Sequence, residues 1–253
     1  KYNYVALKNR YKNFPLPKIE VVQLQTSELN KRIISSKAEK IVSEYLKKKE
    51  QILFFLNRRG FSPFLVCKNC GYKHSCPNCS IYLNYHKIKN KLICHQCGLE
   101  KKTMKLCKEK DKDCDFIMCG FGVEKVYEEL SKKYPNKKIK IFSSDYLSKK
   151  KRSEQIIKEL ENNKIDILVG TQMISKGFNF PKLNCIVVVD ADFSRYGYDL
   201  RSTEKNLQMY HQLSGRAGRF SSKSTIIFQT LSPTHSTLKD LMDKHPEKFL
   251  LKE

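Results

Sequence analysis

Closely spaced cysteines are the residues of this chain whose types and spacing most directly specify chemistry. The sequence contains 10 cysteines in 253 residues, most of them in pairs. The paired residues are Cys67 with Cys70, Cys76 with Cys79, Cys94 with Cys97 and, at wider spacing, Cys107 with Cys114. Two thiolates separated by two residues can bind one tetrahedral ion, so each pair supplies half of a closed zinc site. We therefore expect two structural zinc ions, whose binding free energy of about 10–16 kcal/mol would fold a segment too polar for its own core.

Disulfides and redox-active thiols are the alternative interpretations of these cysteines. Disulfides require an oxidising compartment, and the sequence shows no charged-then-apolar leader of the kind that directs secretion. Redox chemistry requires one reactive pair rather than a series of pairs. The wide spacing between Cys107 and Cys114 leaves Cys119 as an alternative eighth ligand. Three histidines are weaker candidates: His74, His86 and His95.

The charge of the chain indicates what it binds. Lys and Arg number 49 against 26 Asp and Glu, which gives a formal net charge of +23. Such an excess predicts a polyanionic partner, most often nucleic acid, although lysine enrichment from an A/T-rich genome is the alternative.

Apolar runs fall far short of the ~20 residues of a membrane helix. We therefore expect a cytoplasmic protein without a membrane partner, and the first residue, Lys1, suggests a fragment of a longer chain.

Short apolar runs alternate with segments of helical periodicity along most of the chain. Strands are predicted at 19–24, 52–56, 139–142, 165–169, 186–189 and 225–229. Helices are predicted to begin near Ser35 or Ser36, at Val123, at Ser148 and at Ser202, and a partly formed one covers 236–249. Strands that alternate with helices indicate an α/β fold with a mainly parallel sheet. Between the second and third cysteine pairs, apolar segments at 81–85 and 91–93 flank a polar turn, which predicts a zinc-ribbon hairpin.

Three stretches carry candidate phosphate-binding residues, and we expect all three where the carboxyl ends of strands meet helices. The first has Gly120 and Gly122 before a helix, where backbone amides can approach a phosphate. The second follows a predicted strand and suits contacts to a nucleic-acid backbone. Its candidate residues are Gly170, Thr171, Gln172, Lys176 and Gly177. An ordinary polar turn is the alternative for both.

The third stretch, 212–219, contains Gln212 and two arginines framed by glycines. Arg216 and Arg219 are three residues apart, which places them on one helical face or in one tight turn. Such arginines can stabilise the charge of a transferring γ-phosphoryl group and are worth roughly 10³–10⁵ in rate. Solvated surface arginines are the alternative interpretation.

These stretches carry a resemblance to known proteins. Residues 212–219 match motif VI (Gln-x-x-Gly-Arg-x-Gly-Arg) of superfamily-two helicases, and 170–177 match their motif V. Further similar segments are 55–61, the cysteine-rich insertion, 190–192, and 199–201 with Glu204. Over nearly its whole length the chain resembles the second half of the bacterial replication restart helicases, the PriA family.

The resemblance implies a RecA-like parallel-sheet helicase lobe with an inserted zinc-ribbon-type module that binds two zinc ions. The implied division is 1–30 leading from a first lobe, 31–66 with 120–232 forming the second lobe, 67–119 as the insertion, and 233–253 beginning a C-terminal segment. The outer cysteine pairs would share one ion and the inner pairs the other.

The resemblance also implies an ATP-dependent 3′-to-5′ DNA helicase that remodels stalled forks and promotes primosome assembly. The arginines and Gln212 would act on ATP and Mg²⁺ held by the first lobe. The implied partners are forked and single-stranded DNA, primosome proteins, single-stranded DNA-binding protein and the replicative helicase loader, in the nucleoid of a bacterial cell.

Some family features are replaced or absent in this sequence. Val123 stands where the family has Thr, Phe178 stands where it has His, and the fourth cysteine pair is wider. The sequence lacks a Gly-x-x-x-x-Gly-Lys-Ser/Thr phosphate loop and an Asp-Glu-x-His segment. We therefore expect no ATP hydrolysis by this chain alone. A non-catalytic zinc-ribbon scaffold that binds DNA or primosome proteins is the alternative function, and an RNA-helicase lobe is a weaker one.

Overall fold

The computed structural model describes most of the chain. The described residues are 14–24, 32–56, 64–67, 72, 74–79, 82–86, 90–94, 96–102, 116–119, 122–143, 146–147, 150–175, 180–191, 202–219, 223–230, 233 and 238. The chain forms two compact units: Lys1–Asn57 with Tyr127–Glu253, and Arg58–Val126. Within the described ranges, no helix has the length and apolar character needed to cross a membrane.

The helices and strands follow one another in an α/β order. In chain order they are β1 (Lys18–Gln23), α1 (Ser36–Lys47), β2 (Gln51–Phe55), β3 (Phe64–Cys67), β4 (Asn84–His86), β5 (Lys91–Ile93), β6 (Glu100–Lys102), β7 (Phe116–Cys119), α2 (Val123–Lys133), β8 (Ile139–Phe142), α3 (Lys150–Glu161), β9 (Ile167–Gly170), a 3₁₀ turn (Gln172–Ser175), β10 (Leu183–Val188), α4 (Ser202–Ser214) and β11 (Thr225–Thr230).

The larger unit contains a six-stranded sheet in the order β1-β11-β10-β2-β9-β8, and every neighbouring pair is parallel. All residues of β2, β9, β10 and β11 are buried. A strand that is covered on both faces consists mainly of consecutive apolar residues. This pattern made these strands recognisable in the sequence. The predicted α/β fold with a parallel sheet is confirmed.

Helix α1 has the serine cap, the lysine in its last turn and the apolar stripe that its sequence predicts. Ser35 is the N-cap, and its side-chain oxygen accepts a hydrogen bond from the backbone N–H of Ala38 at 3.2 Å. Lys47 lies in the last turn, where the helix dipole favours a cation. Ala38, Val42 and Leu46 recur every four residues and are buried, so this stripe faces the protein interior.

The boundaries of some elements differ from the sequence prediction. Strand β10 begins at Leu183 rather than 186, because the polar residue Asn184 interrupts the apolar run at a register shift between Leu183 and Cys185. Strand β9 begins at Ile167 rather than 165. The predicted first residue of helix α3, Ser148, and nearly all of the predicted helix 236–249 lie outside the described residues.

A buried glutamine connects the segment before α1 to the sheet. Gln229 on β11 is fully buried, and its Nε2 donates to the carbonyl oxygens of Ile33 at 3.1 Å and Val189 at 3.2 Å. Its Oε1 accepts from the backbone N–H of Ser35 at 2.8 Å. The carboxylate of Glu129 on α2 accepts from the N–H of Ile33 at 3.0 Å. Gln229 therefore fixes this segment against the carboxyl end of β10.

Replacing Gln229 with leucine will lower the free energy of unfolding by about 3 kcal/mol or more, because three buried backbone groups lose their partner. Urea denaturation of the full chain measures the change. The control is Gln208→Leu, at an exposed position of α4. A loss below about 1 kcal/mol for Gln229→Leu would mean that the three groups find other partners.

The described residues of the smaller unit include two short antiparallel sheets. β3 pairs with β7, and β4, β5 and β6 form a three-stranded sheet in that order. Leu83 and Leu92 pack with Cys76 and Cys94 in a small buried core. The predicted hairpin is present as β4 and β5, although its first strand is 84–86 rather than 81–85.

Candidate metal centre and arginine turn

Four cysteines of the smaller unit converge. The Sγ atoms of Cys76, Cys79, Cys94 and Cys97 all lie within 4.8 Å of one another, and those of Cys76 and Cys97 are 3.6 Å apart. An ion bound tetrahedrally at about 2.3 Å from each sulfur would place the sulfurs about 3.8 Å apart. A disulfide would require about 2.0 Å, and all four cysteines are free. The four residues can therefore hold one metal ion.

Two hydrogen-bonded turns hold these sulfurs in place. A bridge between Ser75 and Tyr82, with the Leu83 N–H donating to the His74 carbonyl at 2.7 Å, closes the first turn. In the second turn the Cys94 N–H donates to the Leu99 carbonyl at 2.8 Å. The β4–β5 hairpin lies between the two turns in the sequence and brings them together.

The acidities of the thiols show that the four sulfurs interact. Burial raises the pKa of Cys79 to about 12, and hydrogen bonding to Cys97, Cys94 and Cys76 adds to the increase. Burial also opposes ionisation of Cys94, but backbone N–H groups of Cys97 and Gln96 donate to its sulfur and lower its pKa to about 7. Four thiolates this close together repel one another, so a bound cation would balance their charge.

The outer cysteine pairs are described only in part. Cys67 ends β3 and pairs with Phe116, whereas Cys119 ends β7 and pairs with Phe64 at the other end of the ribbon. The backbones of Cys67 and Cys119 are thus three residues apart along the ribbon, or about 10 Å. Cys114 precedes Phe116 by two residues in the sequence. Cys70, Cys107 and Cys114 lie outside the described residues, and so does His95.

The predicted nucleic-acid stretch begins at the carboxyl end of β9. Gly170 is buried as the last residue of that strand, Thr171 is 8% exposed, and Gln172 opens the 3₁₀ turn with partial exposure. Lys176 and Gly177 lie outside the described residues, as does Phe178. Among the predicted contact residues that are described, Gln172 is therefore the one whose side chain is not buried.

Close packing accounts for the glycine at position 170. A Cβ atom there would lie 2.0 Å from Cδ1 of Ile174 and 3.0 Å from the Phe142 carbonyl oxygen. We expect Gly170→Ala to lower the free energy of unfolding by about 1–3 kcal/mol through overpacking. The double variant with Ile174→Val removes the closest methyl group, so it should recover part of the loss in the same urea titration. Equal stability of Gly170→Ala and wild type would contradict this packing argument.

The arginine stretch forms a tight turn directly after α4. The Gly215 N–H donates to the His211 carbonyl at 3.0 Å, and the Arg216 N–H donates to the Leu213 carbonyl at 2.8 Å. Gly218 has a φ of 69°, which favours glycine. Nε of Arg219 donates to the Gly215 carbonyl at 3.0 Å, so the second arginine stabilises the turn.

The position of this turn corrects the sequence analysis. We expected the stretch at the carboxyl ends of strands, but it follows helix α4 and precedes β11. The Gly218 N–H donates at 3.1 Å to the carbonyl of Leu183, the first residue of β10, which places the turn at the amino ends of the strands. A helix that connects parallel strands must return to that end of the sheet, so its last residues lie there.

The two guanidinium groups interact electrostatically. Partial burial lowers the pKa of Arg216, and the positive charge of Arg219 lowers it further. The repulsion between adjacent like charges falls when an anion binds between them, so this turn is suited to an anionic ligand.

Gln212 is exposed near the end of α4, and Ala217 is fully buried. Of the first predicted stretch, Gly120 and Phe121 lie outside the described residues, whereas Gly122 is buried immediately before α2.

The parallel sheet, the arginine turn and the inserted cysteine module define the class of protein. Residues 88–221 match the family described as the helicase conserved C-terminal domain, so the chain belongs to that family. The chain is 38% identical to the replication restart protein PriA of Rickettsia conorii over all of its own length and 39% of that protein. It is 35% identical to PriA of Bacillus subtilis over 94% of this chain and 30% of that protein.

These relatives confirm the resemblance to the replication restart helicases. The chain spans about two fifths of the length of the relative from R. conorii, with 39% of it covered. Among solved structures, S. cerevisiae Dbp5 bound to RNA and ADP BeF3 is similar with a TM-score of 0.46 and 11% identity, covering 92% of this chain and 39% of that one.

Sequence reasoning missed two sets of polar groups, one at the metal centre and one that holds the fold together. The backbone amides of Gln96 and Cys97, which donate to the Cys94 sulfur, follow from the turn geometry and carry no residue-type signal. Gln229 did offer a signal, because a glutamine inside an otherwise apolar strand needs buried hydrogen-bond partners.

Proposed function

We propose that this chain is the second motor lobe of an ATP-dependent 3′-to-5′ DNA helicase that recognises and remodels stalled replication forks and promotes primosome assembly. The single observation that carries the proposal is the Arg216–Arg219 turn in a chain 38% identical to PriA over its whole length. A lobe that senses nucleotide needs fixed cations, and this turn supplies them.

In this proposal Arg216 and Arg219 stabilise the γ-phosphoryl group of ATP, with Gln212 nearby. ATP and Mg²⁺ would be bound by a first lobe, because this chain lacks a phosphate loop. The DNA contacts would come from the stretch after β9, where Gln172 is partly exposed at the carboxyl edge of the sheet. Gly170, Thr171, Lys176 and Gly177 complete the proposed contact set, the first two through their backbone because they are buried.

We propose two zinc ions per chain, each bound by four thiolates and serving to stabilise the insertion. The inner ion is bound by Cys76, Cys79, Cys94 and Cys97, whose sulfurs are already close together. The outer ion is bound by Cys67, Cys70, Cys107 and Cys114. The register of β3 and β7 favours Cys114 over Cys119 as the last ligand, since Cys119 lies at the far end of the ribbon from Cys67.

The proposed division of the chain follows from these roles. Residues 31–66 and 120–232 form the motor lobe, 67–119 form the zinc module, 1–30 lead from the first lobe, and 233–253 begin a C-terminal segment. The proposed partners are forked and single-stranded DNA, primosome proteins, single-stranded DNA-binding protein and the replicative helicase loader.

The wider spacing of the fourth cysteine pair and the Val123 and Phe178 replacements favour a second candidate, a non-catalytic zinc-ribbon scaffold. A DNA-unwinding assay distinguishes the two candidate functions. In the test, this chain replaces the matching segment of R. conorii PriA, and strand separation of a forked DNA is followed with ATP. We expect ATP-dependent unwinding that starts from a 3′ single-stranded arm. DNA binding without unwinding by the folded chimera would support the scaffold instead.

A further inference from the structure

A row of three basic residues crosses the three-stranded sheet of the smaller unit. His86 on β4 is paired with Lys91 on β5, and Lys91 is paired with Lys102 on β6. Residues paired across neighbouring strands point to the same face of a sheet, about 5 Å apart. The three side chains therefore form one line, perpendicular to the strands and about 10 Å long. We call it the His86–Lys91–Lys102 row.

The row faces away from the core of its own module. The adjacent line of paired residues contains Tyr85, Leu92 and Lys101, and it points to the other face because side chains alternate along a strand. Leu92 is 1% exposed and packs with the buried thiols of Cys76 and Cys94. The row lies on the opposite face. Ile93 on that face is buried, but at the row itself Lys102 is exposed and the side chain of Lys91 is 44% exposed.

Two lysines of the row lie side by side, and one of them contacts the carboxylate of Glu100. Lys91 and Lys102 are directly opposite each other, and like charges in such pairs destabilise a sheet. Glu100 contacts Lys91, with its Oε2 2.6 Å from Nζ, and the two side chains are 41% and 44% exposed. An ion pair this exposed contributes little, so Lys91 can exchange the carboxylate for another anion.

We propose that the His86–Lys91–Lys102 row binds the phosphate backbone of single-stranded DNA. Lysine ammonium groups and an imidazole N–H in a line supply donors to successive phosphates without reading bases. An acidic protein segment would be attracted to the same cations. The net charge of +23 and the membership in a helicase family favour nucleic acid. The inference rests on the proposed function in that a helicase handles a single strand, and it assigns part of that contact to the zinc module.

The test compares the salt dependence of binding to a fluorescent 20-nucleotide poly-dT strand. The variant is Lys91→Gln/Lys102→Gln in the full chain. Each lost phosphate contact should reduce the slope of log affinity against log salt by about 0.7, so the pair should reduce it by about 1.4. At 0.1 M salt this corresponds to a loss in affinity of about fivefold for each contact and about 25-fold for both.

The matched control is Lys132→Gln/Lys164→Gln, which removes two exposed lysines from the larger unit and lowers the net charge equally. The zinc content of both variants must equal that of wild type, which shows that the module remains folded. A row variant with the slope and affinity of the control overturns the inference. The inference is also overturned if the row variant loses binding to poly-glutamate but keeps binding to poly-dT. If the wild-type chain itself does not bind poly-dT, the DNA-binding part of the proposed function fails as well.

Discussion

Replacing Arg216 with alanine will lower ATP turnover by a factor of about a thousand or more in the chimera with R. conorii PriA. The arginine lies in the hydrogen-bonded turn after α4, with its N–H bonded to the Leu213 carbonyl at 2.8 Å. Its charge is held close to that of Arg219, so the pair provides a fixed site for a developing negative charge. Steady-state phosphate release in the presence of single-stranded DNA measures the effect.

Two controls separate a role in catalysis from a structural one. The conservative variant Arg216→Lys keeps the charge but lacks the planar fork of donors, so most of the loss should remain. Lys205→Ala removes an exposed cation from α4 and should leave turnover unchanged. The KM for ATP should change much less than the turnover number, since the contact strengthens in the transition state. Turnover of Arg216→Ala within tenfold of wild type would show that the turn does not serve ATP hydrolysis.

Cys79→Ser will reduce the zinc content from two ions to one and unfold the smaller unit. Cys79 is one of four sulfurs within 4.8 Å of one another. Its loss removes a ligand from a site that supplies about 10–16 kcal/mol, as much as the whole stability of a typical domain. The larger unit has its own buried sheet and should remain folded. Zinc analysis by mass spectrometry, with limited proteolysis to locate the unfolded segment, measures both effects.

The register of the β3–β7 ribbon sharpens the expectation for the second ion. Cys114→Ser should lower the zinc content, whereas Cys119→Ser should leave it at two, because Cys119 is paired with Phe64 and not with Cys67. Cys185 is fully buried in β10, outside the four-sulfur cluster, so Cys185→Ala is a suitable control for thiol removal. The opposite result for Cys114 and Cys119 would reverse the ligand assignment, and iron in place of zinc would change the identity of the ion.

The inner strands of the central sheet were predictable because they are buried and consist largely of apolar residues. β2 and β11 are buried at every residue, and the helix between β1 and β2 begins at a serine cap that the sequence displays. The short strands of the smaller unit were harder to predict from the sequence. β6, with the sequence Glu-Lys-Lys, is exposed at all three residues and has no apolar periodicity. Its pairing with β5 is set by the adjacent Cys94 turn, which is a tertiary effect.

The residues of the candidate sites could be predicted from the sequence, but their locations in the fold were harder to predict. Pair spacing alone predicted that each cysteine pair supplies half of a metal site, because each pair is a local turn. The sharing of one ion by the two inner pairs was implied by the family resemblance, and the four inner sulfurs do lie close together. The two arginines were predicted to lie on one helical face or in one tight turn, and the structure shows a turn. The stretch was assigned to the wrong end of the sheet because we expected all three candidate stretches where the carboxyl ends of strands meet helices. Gly170 illustrates a second difficulty. A glycine after a strand suggests approach of a ligand, yet contact with Ile174 and Phe142 is sufficient to require it.

ATP hydrolysis by the isolated 253-residue chain, compared with hydrolysis by the chimera, tests the central claim most directly. The account predicts no DNA-stimulated hydrolysis by the isolated chain, because its sequence has no phosphate loop, and DNA-stimulated hydrolysis by the chimera. Hydrolysis by the isolated chain, or a folded, zinc-loaded chimera that remains inactive, would contradict the proposal that this chain is one half of a nucleotide-driven motor.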